Sequence, residues 1–281
     1  MKIKVSLLIK WCTCKLTKKE YDFLIFIARY QDQDGYGHVR GIYYKEIMEK
    51  CNMSQMTFYT VLRSLKQKGL IDYKRMNKDY DITILNNDFS YEGSWNEGYI
   101  NLNKIVFEEE KFKKLRVNEK ILLMIFMRNT YVNKGIYRVG TNKFYDDYTK
   151  LLGVTKKVLR SYLHSLKEFF NIWTQKGKYF IKFVSNTFKE KSETETDQYL
   201  GHIVQIGCRR NKVVVDSTAT VKDTMQLIKQ YRQQAKEAGQ NIFEVLNSCL
   251  AECKNGILNS KYIHKLIRQA IGIECRPAIE A

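Results

Sequence analysis

The run CNMSQMTFYTVLRSLKQKGLI, Cys51 to Ile71, returns in altered form as LGVTKKVLRSYLHSLKEFFNI, Leu152 to Ile172. At a constant offset of 101, Tyr44 falls on Tyr145, Leu62 on Leu163, Ser64 on Ser165, Leu65 on Leu166, Lys66 on Lys167 and Ile71 on Ile172. Similar pairs fill the gaps: Tyr43 with Phe144, Glu46 with Asp147, Met53 with Val154, Ser54 with Thr155. Upstream, LTKKEYDFLIFIAR (Leu16 to Arg29) lies on LRVNEKILLMIFMR (Leu115 to Arg128) at an offset of 99. A chain that repeats its apolar spacing in this way is expected to build one local fold twice.

Each copy has the same order of periodicities. A polar first turn with Glu20 or Glu119 precedes apolar residues at helical spacing, with Phe23, Leu24 and Ile27 matching Leu122, Leu123 and Phe126. A short helix, a turn and a second helix follow. IDYKRMNKDYDITIL (Ile71 to Leu85) and IWTQKGKYFIKFV (Ile172 to Val184) then read as strand, turn, strand. Tyr80, Ile82 and Ile84 alternate as one half-buried face should, and Gly177 suits a tight hairpin.

In this order, and in the run N-M-S-x-x-T-F-x-x-V-L-x-S-L-K-x-K-G-L-I, each copy resembles a winged helix-turn-helix domain. The resemblance covers roughly 15–90 and 113–188. Where the first copy has Gly69-Leu70 the second has Phe170-Asn171, so the match does not fix the exact helix end there. The expected class is α+β, mostly α. Two tandem winged-helix domains (1–90 and 113–188) are joined by a connector (91–112). A linker (189–219), in which His202–Asp216 is read either as a small hairpin or as a mobile segment, and a small helical module (220–281) complete the chain. Three helices are expected in that module, ending near Gly239, Gly256 and Gly272, with Thr220 and Asn259 as caps.

The resemblance implies double-stranded DNA as the partner. A helix reads the major groove when its inner face is held by a core and its outer face carries groups that match base edges and phosphates. In the first copy Ser54 is the expected N-cap and Phe58, Val61, Leu62 and Leu65 the inner face, leaving Gln55, Met56, Thr57, Tyr59, Thr60 and Arg63 outside. In the second, Thr155 caps, Leu159, Tyr162, Leu163 and Leu166 face in, and Lys156, Lys157, Arg160, Ser161 and His164 face out. The hairpins add Lys74, Arg75 and Lys78 in one copy, and Lys176 and Lys178 in the other. The first outer face suits base readout and the second suits phosphate contact.

Charge agrees with a polyanionic partner. The net charge is +18. Residues 1–90 carry 16 Lys and Arg against 10 Asp and Glu, residues 91–190 carry 19 against 10, and residues 191–281 only 13 against 10. The excess therefore sits on the duplicated part. Seven cysteines (Cys12, Cys14, Cys51, Cys208, Cys249, Cys253, Cys275) form no paired C-x-x-C. Reduced thiols in a cytoplasmic protein are expected, with no structural metal, no cofactor and no catalytic set. The apolar stretch near the start is too short for a signal peptide or a membrane span.

The expected role is a transcription regulator. The alternative is a plasmid or phage replication initiator that binds origin repeats and recruits replication machinery through its C-terminal helices. Some plasmid initiators carry two winged-helix domains in one chain, which the tandem layout resembles. AECKNGILNSKYIHKLIRQAIG also resembles, over a short stretch, the C-terminal helical region of bacterial primosomal helicase loaders. These helices are the expected surface for a homodimer or another protein; no membrane partner is expected.

Overall fold

We describe the fold from a computed structural model, which describes residues 2–32, 35–76, 79–101, 106, 109–184, 195–253 and 256–272. The chain is α+β and mostly α. Residues 1–75 and 80–191 cluster as one compact unit, and residues 76–79 and 192–281 as a second.

In chain order the first unit begins with β1 (Lys2–Lys4), α1 (Val5–Thr13) and α2 (Lys18–Ala28). It continues with β2 (His38–Tyr43), α3 (Tyr44–Lys50), α4 (Gln55–Gln67), β3 (Ile71–Met76) and β4 (Asp79–Ile84). A connecting strand β5 (Tyr99–Asn101) and helix α5 (Glu110–Lys114) lead to the second copy. That copy comprises α6 (Val117–Val132), β6 (Ile136–Gly140), α7 (Thr141–Leu152), α8 (Lys156–Leu166), β7 (Phe170–Gln175) and β8 (Lys178–Phe183). Each copy closes a three-stranded sheet, in the orders β2-β4-β3 and β6-β8-β7. The strand between the first two helices of each copy (β2, β6) was not among the expected elements. Its segments are short, and the first is interrupted by Gly41.

Local chemistry sets the helix ends. Thr17 Oγ1 accepts the Glu20 N–H (3.3 Å) while Glu20 Oε2 accepts the Thr17 N–H (2.7 Å), a capping box that starts α2. Ser54 and Thr155 accept from the N–H groups of Thr57 and Val158 and start α4 and α8, as their sequence positions imply. Helix α4 stops where Gly69 takes a φ of 62°, and the Leu70 N–H returns to Leu65 O at 3.1 Å.

The exit of the second copy is different, and this corrects the gapless match of Tyr43–Ile71 on Phe144–Ile172. Leu70 O accepts the Leu85 N–H and Phe169 O accepts the Val184 N–H, each at 3.0 Å. The structural counterpart of Leu70 is therefore Phe169, at an offset of 99. Ile71 corresponds to Phe170, both fully buried, and not to the half-buried Ile172. The second copy is two residues shorter where α4 has its last turn and glycine stop.

One hydrophobic cluster runs through both copies, from Phe23, Phe58 and Leu65 to Phe126, Phe144 and Leu166. Helices α2 and α6 meet inside it: Tyr21 Oη donates to Met124 Sδ at 2.9 Å, and Lys120 Nζ, almost wholly buried, pairs with Asp22 Oδ1 at 2.5 Å. The ammonium also lies 5.1 Å from the Phe112 ring centre. The N-terminal segment ties the copies further. β1 pairs antiparallel with β5, and α1 buries Leu7, Leu8 and Trp11 while packing on α6 and α7.

The second unit holds α9 (Glu195–Arg210), α10 (Thr218–Glu237), α11 (Ile242–Ala251) and α12 (Ser260–Ala270) around its own core, centred on Val204, Ile228, Leu246 and Ile263. The last three helices are the expected ones, and Asn259 caps α12. The expected hairpin over His202–Asp216 is corrected: most of it is the end of α9. The Val-rich run seen as strand contributes only the isolated bridge of Val214 to Ile257. Ser217, not Thr220, caps α10, accepting the Thr220 N–H at 3.2 Å. Among the described residues no helix is long and apolar enough to cross a membrane.

Candidate nucleic-acid interface

Helix α4 seats Phe58, Val61, Leu62 and Leu65 in the core and α8 seats Leu159, Tyr162, Leu163 and Leu166. Amphipathic spacing then leaves the opposite rows outward. Ser54, Gln55, Met56, Thr60 and Arg63 are exposed on α4; Thr155, Lys156, Lys157, Arg160, Ser161 and His164 are exposed at and along α8. Met56 is 81% exposed, an apolar side chain held in water with no packing reason to be there.

Several polar groups in these rows are engaged locally. Thr60 Oγ1 donates to Met56 O (3.0 Å), Ser161 Oγ to Val158 O (2.7 Å), and Arg63 Nε to Tyr59 O (3.3 Å). Thr57 is half-buried, with its hydroxyl 2.9 Å from Ser54 Oγ. Tyr59 does not stand off the apolar face: its ring packs on the core edge and its hydroxyl bonds with Gln55 and Tyr80. Those bonds, the one with Gln55 foremost, lower the Tyr59 pKa. Burial, with the Tyr59 bond second, pushes Tyr80 up to about 12. Arg160 leans back on α7, its Nε donating to Tyr145 Oη at 3.2 Å and its guanidinium 5.5 Å from that ring centre. Tyr145 Oη in turn shares a hydrogen bond with Tyr179 Oη at 2.7 Å. Lys156 Nζ lies 5.7 Å from the same ring. The second face is thus a tyrosine-braced cationic row rather than a set of loose charges.

The hairpins place Lys74, Arg75, Lys176 and Lys178 on exposed backbone; Lys78 lies outside the described residues. Lys176 and Gly177 have φ of 47° and 70°, the double positive φ of a type I′ turn, which closes the Gln175–Lys178 pair.

One feature that the sequence reading missed ties α4 to the scaffold. Glu20 is 3% exposed; its carboxylate accepts from Lys68 Nζ (2.7 and 2.8 Å) and Ser64 Oγ (2.6 Å) as well as from the α2 cap. Burial would raise this carboxyl, but the bonds from Lys68, Ser64 and Thr17 outweigh it and hold the pKa below the usual glutamate value. Glu119 repeats the cap, accepting the Arg116 N–H at 2.7 Å. Lys167 is the C-cap residue of α8 as Lys68 is of α4.

The remaining chemistry is quiet. Burial pushes the thiols of Cys12 and Cys51 up to about 11 and about 12, away from thiolate reactivity. Among the described residues no group of three His, Cys, Asp or Glu converges as a metal site. A cleft of about 300 Å³ on the outer face of the first sheet is lined by His38, Arg40 and Lys74 together with Asp72 and Asp81, a mixed-charge surface. No family model, curated protein or solved structure matches this chain.

Proposed function

We propose that the two copies are winged helix-turn-helix units and that the chain binds double-stranded DNA sequence-specifically, as a transcription regulator. The observation that carries this reading is the paired partition of α4 and α8. Both are Ser- or Thr-capped and core-anchored along one row, and both present hydrogen-bonding or cationic groups along the other beside a basic hairpin. Gln55 and Arg63 match adenine and guanine edges, Met56 suits a thymine methyl, and Lys156, Lys157 and the hairpin lysines suit phosphates.

A second reading, an origin-binding replication initiator, is favoured by the common core of the two copies. Two reading helices held in one body grip an asymmetric site, which suits direct repeats better than a palindrome. In the C-terminal unit Val214, Val215 and Ile257 are exposed apolar residues gathered around one bridge, which supports a homodimer or protein contact there.

Selection of bound duplexes from a random pool tests the binding reading. Enrichment of one motif supports it; enrichment of none, or capture of RNA or protein alone, rejects it. Tandem direct repeats beside an AT-rich tract favour the initiator, and one palindrome over a promoter favours the regulator. Arg63→Ala should cost about 1–3 kcal/mol at a single base position. Replacing Lys156 and Lys157 by Ala should reduce the salt slope of duplex binding by about 2 without changing the preferred motif.

A further inference from the structure

The outer face of the second sheet carries a feature that the duplex reading does not use. Trp173 on β7 and Phe180 on β8 are cross-strand partners. Their rings stack at 5.4 Å between centroids and 12° between planes, and neither belongs to the hydrophobic core. Arg138, the partner of Phe180 on β6, extends the row, with its guanidinium 5.8 Å from the Phe180 ring centre. Alternation along β8 puts Lys178 and Lys182, both exposed, on the same face as Phe180, while Tyr179, Ile181 and Phe183 turn inward. Trp173 is 39% exposed. None of the three strands contains an Asp or Glu.

The first copy shows that the fold does not require this row. At the offset of 99 that relates the two hairpins, Lys74 stands where the second copy has Trp173, and Asp81 where it has Phe180. The same face there carries Asp72 and Asp81, and the stacked pair of the first copy, Tyr36 on His38, lies off the hairpin strands. A flat aromatic–guanidinium ladder flanked by lysines has the chemistry of a stacking platform: unpaired bases lie on the rings and the lysines follow the phosphates. A base pair inside a duplex keeps its faces covered by its neighbours and cannot use such a ladder.

We infer that the outer face of the β6-β8-β7 sheet binds single-stranded nucleic acid by stacking bases on Trp173 and Phe180. This surface is separate from the outward rows of α4 and α8 and shares only Lys178 with the basic hairpin, and the inference stands whether or not those rows bind a duplex.

The test is fluorescence anisotropy of a labelled oligothymidylate titrated with the full chain, compared with Trp173→Ala, Phe180→Ala and Trp173→Tyr variants. Loss of one ring should weaken binding by at least about fivefold, while Trp173→Tyr should retain most of the affinity. Neither alanine variant changes the charge, so a loss reports stacking and not simple attraction to a basic chain. Unchanged affinity in both alanine variants overturns the inference. So does a change in sedimentation mass with oligonucleotide affinity intact, which would make the face a protein interface. Ultraviolet crosslinking of the unaltered chain to oligothymidylate guards against variants that misfold. Crosslinks in the peptides holding Trp173 or Phe180 support the inference, and crosslinks confined to other segments reject it.

Discussion

At the scale of single residues, Glu20 links the start of α2, where it accepts the Thr17 N–H, to the end of α4 through three hydrogen bonds from Ser64 and Lys68. Glu20→Gln should lower stability by about 1–3 kcal/mol, measured by denaturant unfolding, because it removes the charge that the part-buried Lys68 ammonium and Ser64 hydroxyl bond to. The pH sign follows from the depressed carboxyl. The contribution is fully present above the unfolded glutamate value near 4.3 and is lost as pH falls below that through the lower folded value. The stability gap between the unaltered chain and Glu20→Gln should therefore narrow in acid; a gap that widens there would contradict the assignment. Glu20 could be read from sequence as a helix-start residue, three positions after Thr17. Its bonds to Ser64 and Lys68 could not, since they join residues 44 and 48 positions apart. The same limit hid Arg160 on Tyr145. A pattern of apolar spacing tells which row of α8 faces out, but not which neighbouring helix offers a hydroxyl.

At the scale of elements, the caps and turns carry local signals strong enough to read directly. Ser54→Ala and Thr155→Ala should each cost about 1 kcal/mol in thermal or denaturant unfolding, by removing an acceptor from the first turn of α4 or α8. Gly177→Val should cost about 1–2 kcal/mol and loosen the β7–β8 hairpin, visible as faster amide exchange across the Gln175–Lys178 pair. The elements missed were those whose signal is not local. β2 and β6 are five or six residues long and are strands only through their pairing with β4 and β8. The run before Asp216 resembles a strand in composition, yet α9 ends only at Arg210 and the valines that follow have no sheet to join. The Ile71–Ile172 match shows a third kind of error. Identity of residues at one offset concealed a two-residue deletion that only the strand hydrogen bonds disclose.

At the scale of the whole molecule, each unit has its own hydrophobic cluster. Calorimetry should therefore resolve two unfolding transitions, with both copies of the repeat melting together in one of them. Asp22→Ala tests the join between copies. It leaves the Lys120 ammonium buried without its carboxylate and should cost about 3–5 kcal/mol. Burial already lowers the Lys120 pKa against the pull of Asp22, and losing Asp22 lowers it further. A lysine that binds its proton less tightly when folded gains relative stability as pH rises, so the defect of Asp22→Ala should shrink toward alkaline pH. The sequence by itself determined the duplication, the core rows of α4 and α8, their caps and the basic balance of the first two thirds. All of these follow from side-chain type and from spacings within one or two turns. Only the tertiary structure decided that the copies share one core through Tyr21, Asp22, Lys120 and Met124, and that Trp173, Phe180 and Arg138 form a single exposed row. Those outcomes depend on which distant surfaces lose water together, and no periodicity within a segment encodes its partner.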